Sequence, residues 1–354
     1  SNQCTAAVVD AGPIEDLRFV GVVAGSGHTC ALEETGRIFC WGDNRRGQTS
    51  ASTLEQGTGP TEVSVGGVAT TITAGAEHTC ALVDANIYCW GDDSSGQLGI
   101  GSVATGMTTT PQQIDTLVGV IDVDAGDRHT CAIIAGGSAY CWGDDDLGQL
   151  GDDDELVDKD TPTLVDTTDG ATYTRLALGA GHTCAAKRMN TSYGLNCWGA
   201  NTNSQLGVDT GGLPATTPTE TIAFTNNAID PRAGGDTTCV IRRNSLQCFG
   251  ANALGQAGVG VTETDPITVP TSVTLGGSGA TQIGVGAEHS CAAKSPEGFL
   301  YCFGRSENGE LGVGTPSDAP VTTPINTEIV IADSFSDDPV AGTSPLRVIA
   351  IGPN

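Results

Sequence analysis

Residues 74–91 read AGAEHTCALVDANIYCWG, and the fold follows from them. A run of small and β-branched residues (68–75) precedes a turn at Ala76-Glu77. His78 opens a second apolar run to Val83, Asp84-Ala85-Asn86 makes a turn, and Ile87 starts a return to Trp90. Short runs of this kind bounded by turn residues are antiparallel strands. The return sets Cys80 opposite Cys89, and opposed hairpin residues lie within disulfide reach. The segment predicts three strands and one disulfide.

The segment recurs along the chain, and each copy carries a pair of cysteines: Cys30 with Cys40, Cys80 with Cys89, Cys131 with Cys141, Cys184 with Cys197, Cys239 with Cys248, and Cys291 with Cys302. Gly-x-x-His precedes the first Cys in five copies, at His28, His78, His129, His182 and His289, and Thr237 takes the His place in the fifth. An aromatic and Gly follow the second Cys in all six: Trp41, Trp90, Trp142, Trp198, Phe249 and Phe303. The turn between the paired cysteines varies in length while the pair persists, as a bridge between two strands requires. A Gly-Gln-Leu-Gly loop or a relative of it comes next, as at residues 96–99 and 148–151, its Leu suited to plug between units. Thr/Pro-rich segments then suit outer edge strands, because Pro cannot recruit a neighbouring strand. A period near fifty residues with several strands per unit is the mark of a bladed ring, since one unit cannot bury its own apolar face.

The combined pattern resembles the regulator of chromosome condensation repeat family, in a secreted, Cys-paired form, over about residues 19–316. That resemblance implies a β-propeller, most often of seven blades. Known members include a chromatin-bound nucleotide exchange factor, a plant ultraviolet photoreceptor and a bacterial β-lactamase inhibitor. The expected fold is therefore all-β: a single seven-bladed propeller with one disulfide per clear repeat. The repeats span 19–67, 68–117, 118–170, 171–223, 224–277 and 278–340. A split seventh blade is expected from 345–354 plus 1–10, because residues 347–352 resemble the opening strand at 19–25 and residues 4–9 resemble the strand after it. This blade lacks a second Cys and an aromatic-Gly, which leaves Cys4 as a free thiol or an intermolecular bridge.

Composition narrows the function. Forty-two acidic residues against 15 basic ones give a net charge of −27. Such a surface repels nucleic acid and anionic lipid and suits cationic partners or divalent ions. One cysteine pair per repeat points to an oxidising compartment, so the chain is expected to be extracellular, at a cell surface or periplasmic, with its export signal already removed. No Cys-x-x-Cys suggests zinc, and no apolar run is long enough to span a membrane.

No catalytic set emerges. All five histidines belong to the repeat, where a hydrogen bond tying strands or blades is the expected role, and successive blades hold them too far apart to share a metal. No Gly-x-Ser-x-Gly elbow or phosphate loop occurs. The photoreceptor's Gly-Trp-x-His-Thr pattern is absent, which argues against light sensing. The acidic turns offer one weak calcium site at Asp144, Asp146, Asp152 and Asp154. They lack the spacing of a calcium loop, and turn formation explains them otherwise. No other cofactor is expected.

Three readings of function remain. The first is a non-enzymatic extracellular or cell-surface interaction and structural module, with a protein partner or self-association into an oligomer or filament through its termini and Cys4. The second is a secreted propeller that inhibits an enzyme. The third is a calcium-dependent binder of carbohydrate or of a surface.

Overall fold

The structure, a computed structural model, describes residues 17–330 apart from 102–105, 154–155, 168–169, 190–191, 225–228, 261–265, 278, 295–297 and 315. Blade two shows how the sequence becomes a sheet. Its four strands, Ala69–Ala74, His78–Val83, Asn86–Asp92 and Met107–Gln113, pair in chain order and antiparallel. The register sets Cys80 against Cys89 and His78 against Gly91. Asp84 and Ala85 take positive φ in the tight turn between the second and third strands, the geometry a two-residue hairpin demands.

Six such sheets follow one another, and the described residues contain only strands, turns and loops. The described fold is thus an all-β propeller of six blades. Each blade carries one disulfide between its second and third strands, with Cα–Cα distances of 4.1–4.2 Å. Residues 1–10 and 345–354, expected as a split seventh blade, lie outside the described residues, as does Cys4. Among the described residues, no helix is long and apolar enough to cross a membrane.

The inner strands are Phe19–Ala24, Ala69–Ala74, Val120–Ala125, Thr172–Leu178, Asp230–Gly234 and Ala280–Val285, and each packs beside the next. The core lies between blades. Leu98 and Ile87 of blade two share a cluster with Val120, Val123 and Trp142 of blade three. Leu150 meets Trp198, Leu206 meets Phe249, and Ala257 meets Phe303 across the next three junctions. Each loop Leu, or its Ala replacement, therefore plugs the groove beside the following blade's aromatic. Outer strands hold Pro60, Pro111, Pro162, Pro218, Pro270 and Pro324 at the sheet edges.

Candidate functional site

The repeat histidine is the centre of a latch between blades. His28 Nε2 of blade one lies 2.8 Å from Thr79 Oγ1 of blade two. Thr79 Oγ1 donates its only hydrogen to the backbone carbonyl of Gln48 at 2.9 Å. His28 must therefore donate from Nε2, which fixes its tautomer. Trp90 Nε1 donates to the same Gln48 carbonyl at 2.9 Å, so both lone pairs are used. Two groups of blade one and two of blade two thus close one buried network.

The latch repeats with His78, Thr130, Gln97 and Trp142, and again with His129, Thr183, Gln149 and Trp198. His182, Thr238 and Gln205 continue it, with Phe249 in place of the indole donor. At the next junction Ser290 still reaches the Gln256 carbonyl, but Thr237 stands where His would and bonds Ala251 O in its own blade. The imidazole edge of each latch rests on the Gly three residues before it, and a Cβ on Gly25, Gly75, Gly126 or Gly179 would overlap that ring. Desolvation pushes His78 and His129 down to about 3 and His28 and His182 down to about 4, so all four are neutral.

The series stops at two faces. On blade six, His289 has no hydroxyl partner among the described residues, and its neighbouring cluster of Cys291, Cys302 and Leu311 belongs to blade six alone. On blade one, the indole of Trp41 has no acceptor among the described residues. Trp41 and Thr29 are half-buried, whereas Trp90, Trp142, Trp198, Thr79, Thr130 and Thr183 are wholly buried. The inner strands of blades six and one do not pack together as the consecutive pairs do. Among the described residues, His289 on blade six and Thr29 with Trp41 on blade one are thus without the junction partners that the other blades have.

The acidic turns act mostly on their own backbone. Asp93 accepts from Leu98 N and Asp145 from Leu150 N, both at 2.9 Å, and Asn44, Asn201 and Asn252 occupy the same place. Of the calcium candidates, the structure groups Asp144 and Asp146 with Asp158, their carboxylate oxygens within 4.8 Å of one another. Asp152 is not among them, because Lys159 draws its carboxylate to 3.7 Å. Asp154 lies outside the described residues. Asp158 joins because the chain returns there towards the outer strand and its Oδ1 accepts from Asp145 N at 3.0 Å. The spacing of the acids gave no sign of that return. Burial and the neighbouring carboxylates of Asp158 and Asp146 raise the Asp144 pKa, against the pull of Arg128.

This is a repeat propeller in which side chains at one repeated position hold blades together. Two models of the regulator of chromosome condensation (RCC1) repeat match, one at residues 35–82, 84–133 and 136–186, the other at 19–48, 69–97 and 120–149. RCC1 repeats are thus detected in this chain, and its relatives are RCC1-like proteins. It is 29% identical over 306 residues to the ultraviolet-B receptor UVR8 of Arabidopsis thaliana, covering 84% of this chain and 67% of the receptor. It is 29% identical over 317 residues to the regulator of chromosome condensation of Drosophila melanogaster, covering 84% and 56%. A human probable E3 ubiquitin-protein ligase, HERC3, matches at 27% over 58% of this chain, which spans 19% of that protein's length. Among solved structures, human WBSCR16 superposes with a TM-score of 0.79 at 20% identity, covering 89% of this chain and 83% of that one. Prp20p of Saccharomyces cerevisiae, described with its binding to Gsp1p and histones, gives 0.76 at 20%, covering 90% and 78%. At these identities the structural matches show the fold. The chain is an RCC1-like propeller, and such propellers are mainly protein-interaction modules.

Proposed function

We propose that this chain is an exported, non-enzymatic propeller that works by binding protein, and that the ring position between blades six and one is where it does so. Residues 347–352 and 4–9 would supply two strands there, as an incomplete seventh blade. A strand from a neighbouring chain would add to its edge, with Cys4 placed to bridge the two chains. The observation that carries this reading is the latch series, which repeats from blade to blade and stops at His289 on one side and at Thr29 and Trp41 on the other. Export is supported by six disulfides in one chain. A head-to-tail contact of this kind propagates from chain to chain, into a closed ring if its rotation closes and into a filament if it does not.

Deleting residues 331–354 tests this. Mass photometry of the full chain is expected to show oligomers that the shortened chain does not form. Equal distributions for the two, with the shortened chain still folded, would remove the assembly reading.

A second reading, calcium-dependent binding, is favoured by the grouping of Asp144, Asp146 and Asp158. It predicts a saturable calcium signal in calorimetry that Asp158→Asn weakens at least tenfold. A flat titration at millimolar calcium would discard it.

A further inference from the structure

The six inner strands end around a cavity of about 150 Å³ on the axis of the ring, large enough for a small metabolite and too small for a folded segment. Strand alternation decides what its wall offers. Gly75 N donates to His78 O, on the second strand of the same blade. Alternate residues face the other way, so the N–H groups of Ala74 and Ile72 point to the axis. The same parity puts the N–H groups of Ala125, Leu176, Leu178, Ala233 and Val285 there.

Side chains of the preceding blade cap some of these donors. Thr73 Oγ1 accepts from Ala125 N at 3.1 Å. Asp122 Oδ2 accepts from Leu176 N at 2.7 Å, and Asp124 Oδ2 from Leu178 N at 2.9 Å. Among the described residues no side chain caps Ala233 or Val285. Pro231 occupies the other axial position of blade five and has no N–H to satisfy. The axial donors of blades three and four are thus capped by hydroxyl and carboxylate, while those of blades two, five and six carry no side-chain cap among the described residues.

Two ionic side chains on opposite flanks of blade four remain underused. Asp127 of blade three lines the cavity, and its carboxylate has no hydrogen bond or ion pair among the described residues. Burial, with the charge of Asp236, raises its pKa, as expected of a carboxylate lacking a counter-ion. Arg232 of blade five also lines the cavity. It places Nη1 2.7 Å from Asp230 Oδ1 and 2.7 Å from Pro231 O, which leaves Nε and Nη2 without partners among the described residues.

We infer that this axial cavity binds a small zwitterion of the amino-acid class, its ammonium on Asp127 and its carboxylate on Arg232 and the bare N–H groups of Ala233 and Val285. A simple cation would face the guanidinium of Arg232, whose charge reaches Asp122 and Asp124 as well as Asp230. A simple anion would face Asp124 and Asp127. Only a ligand carrying both charges satisfies both flanks. Arg232 stands on an inner strand, and Asp127 stands in the bend just after one, where its carbonyl accepts from Ala76 N at 3.0 Å, so both side chains are carried by hydrogen-bonded backbone.

Isothermal titration calorimetry on the full, disulfide-intact chain tests this with glycine, β-alanine and 4-aminobutyrate as probes of charge separation, and methylammonium and acetate as single-charge probes. One zwitterion is expected to saturate at least tenfold more tightly than either single-charge probe. Asp127→Asn, which keeps the side-chain shape, and Arg232→Gln are each expected to weaken it at least tenfold. Asp127→Asn carries the test if Arg232→Gln fails to fold, since Arg232 also holds Asp230. Saturation by methylammonium or acetate as tight as by any zwitterion would overturn the proposal. So would no saturation by any probe, or a folded Asp127→Asn variant that binds like the parent.

Discussion

At the scale of the residue, the histidines make the protein acid-sensitive in a way their number alone would not predict. Burial puts the folded pKa of His78 and His129 at about 3, below the unfolded value near 6.5. The unfolded chain therefore binds more protons between those limits. Stability from these groups is complete above about pH 6.5 and is lost as pH falls towards about 3, by up to about 1.4 kcal/mol per pH unit for each. Burial acts with the opposite sign on Asp93, Asp122 and Asp145, whose folded pKa values rise to about 6. Their share is present below about pH 3.8 and lost as pH rises through 6, so the two sets oppose each other between pH 4 and 6. His129→Gln removes one term of the first set and its bond to Thr183. Urea unfolding should show a loss of about 1–2 kcal/mol at pH 7. It should also show a smaller drop between pH 6.5 and 5 than in the parent. An equal drop in both proteins would mean His129 titrates normally in the fold.

At the scale of the element, the inner strands come so close that the residue just after them has no room for a side chain. A Cβ on Gly75 would collide with the Gly126 carbonyl of the next blade and with the His78 ring. Gly75→Ala is expected to cost about 2–4 kcal/mol, since neither backbone nor latch can yield. Gly59, on an outer strand with nothing within 4 Å of its Cβ position, should accept Ala with almost no change. Chemical denaturation of the two variants side by side distinguishes packing from a general intolerance of alanine. The strands, their turns and the opposed cysteines were legible because period-two alternation and a fixed pair of residues report local geometry. The latch was legible only as a repeated His. Its acceptor sits 51–56 residues away on another blade, and its end point is a backbone carbonyl that any residue could supply. The acidic group misled for a similar reason. Asp152 lies near Asp144 in sequence but turns to Lys159, whereas Asp158 returns to it from beyond a loop. The charged cavity wall gave no sequence signal, because Asp127 and Arg232 are 105 positions apart and meet only through the ring.

At the scale of the whole molecule, packing rests on the blade junctions, with disulfides inside blades and hydrogen-bonded latches between them. Among the described residues, the junction contacts seen between the other blades are lacking on blades six and one. The six clear blades were legible from the repeat period, while the missing partners of His289, Thr29 and Trp41 among the described residues became visible only when the latches could be followed from blade to blade. The net charge of −27 keeps such rings apart unless a specific contact overcomes it. Sedimentation velocity on the full chain and on Cys4→Ser, each with and without reductant, tests the central claim most directly. The account predicts a species well above 35.8 kDa for the full chain, which shrinks with reductant and in the variant. A 35.8 kDa monomer in all four samples would contradict assembly through the chain ends.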